Sequence, residues 1–156
     1  HQFHDTYFRK CCELLKPDGQ MLLQAITMAD QYYDDYKTSV DFINKYIFPG
    51  GHVPSLSNAM AVFEPHKFSV LDVENLRPHY ARTCAAWLEN FEAAADQVAD
   101  MYDEEFVRMW RLYLAGSSAG FESGTLQLYQ VLFTPRGNND VPWTRHYQYP
   151  GVAETR

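Results

Sequence analysis

Near the start of the chain Phe8, Cys11, Cys12 and Leu15 recur at helical spacing behind Asp5, a residue suited to an N-cap. Lys16-Pro17-Asp18-Gly19 then supplies the turn chemistry that ends the segment. Gln20 to Met28 is a short apolar run interrupted at Gln24, the pattern of a strand covered on both faces by helices in a parallel sheet. Helix, Pro-x-Gly turn and buried strand make half of a repeating α/β unit. Ala29 to Phe48 opens polar and tyrosine-rich, with Tyr32, Tyr33 and Tyr36, and predicts a short amphipathic helix around Asp41 to Ile47, stopped by Pro49-Gly50-Gly51. Ser55 can cap a second short helix, Leu56 to Phe63, and Phe68 to Val73 alternates as a strand.

Two long helices follow. Tyr80, Cys84, Trp87, Leu88, Phe91, Ala95 and Val98 keep one apolar stripe, with Glu89, Glu92 and Asp96 opposite. Asp103 to Ser118, with Phe106, Met109, Trp110, Tyr113 and Leu114, reads as a largely buried second helix. Leu126 to Phe133 is a β-type run, and beyond Pro135 the Gly, Asn and Pro content predicts a loose tail. The pattern shows neither internal repeats nor an obvious second domain.

Composition narrows the class. With 156 residues, 46% hydrophobic and 15% aromatic, the chain can build one core, and 11 Tyr, 10 Phe and 3 Trp exclude low-complexity disorder. Its most apolar runs, M-L-L-Q-A-I-T and V-L-F-T-P, fall far short of the roughly 20 residues a spanning helix needs. Thirteen Lys plus Arg against 20 Asp plus Glu leave a formal charge of -7, which argues against a nucleic-acid footprint and shows no basic patch for an anionic membrane. Cys11, Cys12 and Cys84 fit neither a disulfide framework nor a metal knuckle, so a reducing, cytoplasmic setting is expected. No secretion signal opens the chain, and His1-Gln2-Phe3-His4 without an initiator Met reads as the start of a fragment or processed chain.

Candidate chemistry is sparse. The glycines form no G-x-G-x-x-G, no phosphate-binding G-x-x-x-x-G-K-[ST] and no G-x-S-x-G. The histidines, His1, His4, His52, His66, His79 and His146, are dispersed; only His1 and His4 have helical ligand spacing, and a surface role suits them better than a metal. Cys84 lies on an apolar stripe and reads as a small core hydrophobe.

Longer strings say more. Tyr46-Ile47-Phe48-Pro49-Gly50-Gly51 with Pro54-Ser55, Glu74-Asn75, and His79-Tyr80-Ala81-Arg82-Thr83 with Trp87 resemble the cyclopropane-fatty-acyl-phospholipid synthases and the related mycolic acid cyclopropane synthases. The likeness extends to Tyr7-Phe8, Leu15-Lys16-Pro17-Asp18-Gly19, Arg108-Met109-Trp110, Tyr113-Leu114 and Gln127-Leu128-Tyr129-Gln130-Val131. It covers nearly everything up to Phe133; K-Y-I-F-P-G-G and H-Y-A-R-T-x-x-x-W are specific to the group, whereas L-K-P-D-G occurs across class I methyltransferases.

The resemblance implies an α/β fold, the C-terminal half of a Rossmann-like class I S-adenosylmethionine-dependent methyltransferase with helical lid insertions. Residues 1–134 would be that half and 135–156 an irregular tail. Gln20 to Met28, Phe68 to Val73 and Leu126 to Phe133 would be its fifth, sixth and seventh strands, with residues 29–66 and the two long helices as a lid. The glycine-rich turn for S-adenosylmethionine and the acidic ribose ligand would precede His1. The implied reaction moves the sulfonium methyl onto a cis double bond of a phospholipid acyl chain, and the resulting cation loses a proton and closes to a cyclopropane. A relative that only deprotonates would leave a methyl or methylene branch, and a non-catalytic lipid-binding or assembly module is a further alternative.

In this family the base is understood to be bound bicarbonate. The resemblance assigns Tyr80 as a phenol donor to it, Gln24 as an amide where many relatives have His, and Ile26 as a backbone contact. Tyr80 as an ordinary core tyrosine and Gln24 as a strand residue bonded to a neighbour remain alternatives. Tyr46, Phe48, Gly50, Gly51 and Trp87 are the candidate substrate-tunnel residues, although the glycine pair could equally just end a helix. Arg82 and Arg108 are expected to pair with acids such as Glu74 and Asp103 rather than with a lipid phosphate. Expected partners are an unsaturated phospholipid at the inner membrane surface and the N-terminal half of the same protein, with a homodimer as the assembly and no nucleic acid.

Overall fold

The structure, a computed structural model, describes residues 3–149. Its elements are α1 (His4–Leu14), β1 (Met21–Met28), α2 (Asp30–Thr38), a π-helical turn (Ile43–Ile47), α3 (Leu56–Met60), β2 (Phe68–Asn75), α4 (Arg77–Ala93), α5 (Ala95–Met101), α6 (Glu104–Ser123) and β3 (Leu126–Pro135). A 3₁₀ turn, Arg145–Gln148, lies in the C-terminal segment.

The sheet has three strands in the order β1-β3-β2. β3 runs antiparallel to both neighbours, with Leu23 opposite Val131 on one side and Val73 opposite Val131 on the other; a register shift separates Val70 from Asp72. Among the described residues the strand that pairs with β1 is antiparallel, and the parallel contact β1 makes is the single bridge from Met28 to Ser55. α6 delivers the chain into β3 from the far end, which places β3 between the two strands that preceded it. β1 is also less covered than its apolar run predicts: Leu22 and Ile26 are exposed and Thr27 is buried, an alternation in place of a strand hidden on both faces.

The alternation of β3 divides the core in two. Val131 and Phe133 face α1, where Phe8, Phe63, Phe68 and Phe133 close a cluster with ring centroids 4.7 Å apart for Phe63 and Phe133 and 4.8 Å for Phe68 and Phe133. Leu128, on the opposite parity, packs with Ala81 and Cys84 of α4 and Phe121 of α6. Burying side chains of this size contributes roughly 1.5–3 kcal/mol each.

Local chemistry ends the helices. Asp103 Oδ1 accepts from the Phe106 N–H at 2.7 Å to start α6, and Gly124 at φ 83° stops it in the left-handed conformation. The Arg77 guanidinium donates to the carbonyls of Phe121 (2.7 Å) and Glu122 (3.0 Å), tying the start of α4 to the end of α6. Ser55 caps α3 as expected, through the Asn58 N–H.

Several expectations are corrected. The first long helix breaks at Ala94 into α4 and α5. α6 is less buried than its aromatic content suggests, with only Val107, Leu114, Ser118 and Phe121 covered. α3 stops at Met60, and the segment around Asp41 to Ile47 is π-helical from Ile43. α2 is an addition to the predicted elements, because its sequence carries no core stripe and none of its residues is buried. α1 begins at His4, with Asp5 inside its first turn and paired to His66 at 3.2 Å. Among the described residues Arg82 and Arg108 form no ion pair with Glu74 or Asp103; Asp103 serves α6 as its cap. His1, Gln2 and residues 150–156 lie outside the described residues.

Candidate functional site

On the α4/α6 side of the sheet lies a cavity of about 280 Å³. Ile26 and Met28 of β1 and Leu126 of β3 form its floor. α4 supplies Tyr80, Cys84 and Trp87 at spacings of four and three, and α6 supplies Tyr113, Ser117 and Phe121 at spacings of four, so each helix turns one stripe toward it. The chain between β1 and α3 closes the remaining side with Tyr36, Asp41, Ile43, Phe48 and Val53.

Aromatic rings dominate this wall. The Tyr80 ring stands edge-on to Phe121 (5.3 Å between centroids) and Trp87 (6.4 Å), and Phe48 stands edge-on to Tyr113 (5.9 Å). Tyr113 continues a ladder along α6 through Trp110 (5.0 Å), Phe106 and Tyr102. Burial first, and then the neighbouring Cys84 and Tyr80, raise the Tyr113 phenol, while a hydrogen bond from Ser117 opposes the shift. Burial also raises the Cys84 thiol, which keeps it protonated and poorly nucleophilic.

The closing segment is tied to itself. The Val53 N–H donates to the Tyr36 hydroxyl at 3.0 Å, and the Tyr33 hydroxyl shares a 2.9 Å hydrogen bond with His52 Nε2. Asp41 Oδ1 accepts from the Asn44 N–H at 2.8 Å, holding the entry to the π-helical turn. At its end Gly51 N–H donates to the Phe48 carbonyl at 2.8 Å, and a Cβ on Gly51 would meet that oxygen at 2.9 Å; Gly50 sits at φ 75°. Both glycines are thus required by the turn that presents Phe48 to the cavity. Met28 N–H donates to the Pro54 carbonyl at 2.9 Å, anchoring the far end of the segment to β1.

Among the residues singled out from sequence, Ile26, Tyr80, Phe48 and Trp87 meet on this one cavity. Gly51 lines an adjoining pocket of about 300 Å³ that shares Tyr36, Ile43, Phe48 and Val53 with it. Tyr46 does not join them: it is half-exposed, 5.6 Å from the Phe42 ring, with the Lys45 ammonium 4.9 Å over its face. Gln24 stands two residues before Ile26 on the same face of β1, and its Oε1 accepts a 2.7 Å hydrogen bond from Gln130 Nε2 on β3. Sequence reasoning missed Tyr36, Asp41, Ile43, Ser117 and Phe121. The i, i+4, i+8 run Tyr113, Ser117, Phe121 is a signal the sequence does carry, but a stripe of that kind reads first as core.

Beyond Gln24 the same sheet face mixes polar side chains with Leu22 and Leu132. A groove of about 360 Å³ runs past Gln20, Asp72, Glu74 and Gln130 and is roofed by Tyr147 and Gln148. Asp72, whose side chain is 10% exposed, takes both a 2.7 Å contact from Arg145 Nε and a 2.8 Å hydrogen bond from Arg145 Nη2, and a third from Gln148 Nε2 at 3.0 Å. Among the described residues no cluster of His, Cys, Asp and Glu could hold a metal ion, and no helix is long and apolar enough to cross a membrane.

Comparison with known proteins places this geometry. The chain is 42% identical over 126 residues to the tuberculostearic acid methyltransferase UfaA1 of Mycobacterium tuberculosis, covering 80% of this chain and 30% of that protein. It is 39% identical over 134 residues to the cyclopropane-fatty-acyl-phospholipid synthase of Escherichia coli K12, covering 84% of this chain and 33% of that one. The chain thus spans about a third of the length of these relatives. The solved mycolic acid cyclopropane synthase CmaA1, in complex with SAH and CTAB, superposes with a TM-score of 0.77 at 29% identity over 85% of this chain and 50% of its own. The cyclopropane synthase MmaA2 of Mycobacterium tuberculosis gives the same TM-score at 27% identity. The α/β architecture is therefore that of the class I methyltransferases. The profile of mycolic acid cyclopropane synthetases matches residues 1–131, from α1 through most of β3 and with every wall of the cavity inside it, and the chain belongs to that family.

Proposed function

We propose that this chain forms the acyl-chain slot of an S-adenosylmethionine-dependent methyltransferase that converts a cis double bond of an unsaturated phospholipid into a cyclopropane. The observation that carries the reading is the cavity itself, an apolar slot with Tyr36, Phe48, Tyr80, Trp87, Tyr113 and Phe121 on its walls. An alkene that accepts a methyl cation leaves positive charge on carbon. The slot must stabilise that charge without offering a nucleophile to trap it. Ring faces do this, at up to about 2 kcal/mol per desolvated cation–π contact, and the raised Cys84 and Tyr113 groups stay protonated and unreactive. Water must also be kept from the cation, which it would quench as an alcohol.

S-adenosylmethionine supplies the electrophilic methyl group. The described residues contain no glycine-rich turn after a strand to cradle it, so its binding is assigned to the part of the relatives' length that this chain does not span. Bicarbonate would be held by the Tyr80 phenol and the Gln24 amide, with the Ile26 backbone, and would supply the base. Both side chains can donate a hydrogen bond to an oxyanion, and the Gln24 amide cannot carry a proton away. The phospholipid would be met at the inner membrane surface, with the reacting bond drawn into the slot.

A second reading keeps the chemistry up to the cation and changes its fate, leaving a methyl or methylene branch; the similarity to a tuberculostearic acid methyltransferase favours it. The test is incubation of the full-length protein with labelled S-adenosylmethionine and unsaturated phospholipid vesicles, with and without bicarbonate. Label in a ring-bearing acyl chain supports the first reading, and label in a branched chain supports the second. No label in lipid overturns both.

A further inference from the structure

We infer that Cys84 and Ser117 set how much of an acyl chain beyond its double bond the cavity accepts; this rests on the proposed reading of the cavity as an acyl-chain slot. The two small side chains sit on facing stripes. On α4, Cys84 stands between Tyr80 and Trp87, and on α6, Ser117 stands between Tyr113 and Phe121, all of them lining the cavity. The helices run antiparallel, with Tyr80 against Phe121 (5.3 Å between centroids), Ala81 against Ser118, and Glu92 bonded to Arg111 at 2.8 Å. The turn that carries Cys84 therefore faces the turn that carries Ser117. Rings on either side frame a gap where neither helix places a bulky group in the wall.

Close packing of the two helices does not account for both small residues. Where α4 and α6 touch, Ser118 Oγ donates to the Ala81 carbonyl at 3.4 Å, and Ala81 and Ser118 are both buried. Cys84 and Ser117 line the cavity itself, so a longer side chain at either position would take up cavity space. Depth follows exposure: Phe48 and Trp87 are 53% and 49% exposed, Cys84 and Phe121 3% and 2%, so the cavity runs inward toward Cys84. A phospholipid headgroup is charged and stays in water, which leaves the methyl-terminal part of the acyl chain for the inner end. Each methylene that fits there strengthens binding roughly 4-fold, and one that does not fit forgoes that gain.

Competition between two phospholipids in the full-length protein tests this. Mixed vesicles of dipalmitoleoyl- and dioleoyl-phosphatidylethanolamine present the same double-bond position from the carboxyl end and differ only in the methylenes beyond it. With labelled S-adenosylmethionine, the ratio of label in the two products reads a selectivity that a merely structural role would not move, and Tm is read alongside. Ser117→Leu and Cys84→Leu should each shift that ratio about 10-fold toward the shorter palmitoleoyl chain, and Cys84→Ala should shift it toward oleoyl. Cys84→Leu overpacks a buried site and should also lower Tm, whereas Ser117 is only partly buried and Ser117→Leu should keep Tm near that of the unchanged protein. An unchanged ratio in Ser117→Leu and Cys84→Ala, or an equal loss of both products, would overturn the inference alone. No label in either lipid with the unchanged protein would overturn the acyl-slot reading and the inference together.

Discussion

The two faces of the sheet use the same three strands for opposite purposes. On the α1 face, Phe8, Phe63, Phe68, Val131 and Phe133 close on one another and leave Phe133 with no exposed surface. On the α4/α6 face, helices and a self-tied loop stand off from the strands and leave an apolar cavity, beyond which the face carries polar side chains at Gln24, Gln130 and Glu74. Aromatic content does not separate them, since both are rich in rings. Filling does: on one face the rings contact each other across a two-residue period, and on the other they line a space that no side chain of the described residues enters.

The largest expected effect lies on the filled face. Phe133→Ala should cost about 3–5 kcal/mol by urea denaturation, while Phe48→Ala, at a ring that is 53% exposed, should cost under about 1 kcal/mol and instead weaken binding of an alkyl chain. Similar stability losses in the two variants would dissolve the contrast. Next comes Tyr80→Phe in the full-length protein, expected to lower turnover about 10-fold or more with Tm unchanged, as for loss of one donor to a developing charge. Wild-type turnover would leave Tyr80 as a wall residue only.

The clasp on the polar end should be weaker. Asp72→Asn should loosen the Arg145–Gln148 segment at a cost of about 1 kcal/mol, read as faster amide hydrogen exchange in that segment with the α1-face core unaffected. Thr27 is fully buried and its hydroxyl has no partner among the described residues, so Thr27→Val should be neutral or stabilising by about 0.5–1 kcal/mol in thermal unfolding of this chain. The smallest effect is electrostatic. The Arg111 guanidinium, bonded to Glu92 from α6 to α4, holds that carboxyl below its ordinary range. A depressed folded pKa stabilises above the unfolded value and is lost as pH falls through the folded one. The Tm difference between the wild type and Glu92→Gln should therefore be present at pH 7, shrink below the ordinary glutamate pKa of 4.5 and be absent in stronger acid.

Legibility follows the strength of local patterns. The strands and the start of α6 are legible nearly to their ends, because apolar runs bounded by Gly, Pro or a capping Asp carry their own punctuation, whereas α6 continues past the expected Ser118 to Ser123. α2 is not: a helix that buries nothing has no core stripe to show, and Tyr33 and Tyr36 are held through His52 and Val53, 17 to 19 residues on. The site divides the same way. The strings around Phe48 and Tyr80 point to the cavity, whereas Tyr36, Ser117 and Phe121 look like any other residues on their elements.

What the amino-acid order settled alone is the family, most of the elements and the apolar stripe of α4, since these depend on contacts within a few residues or on strings of them. Only the tertiary structure decided that β3 runs between β1 and β2 against both, that Gln24 meets Gln130, and which aromatic stripe is filled and which lines a cavity. Those outcomes depend on residues far apart in the chain, 106 positions for Gln24 and Gln130, and pairing at that range is set by how whole elements pack.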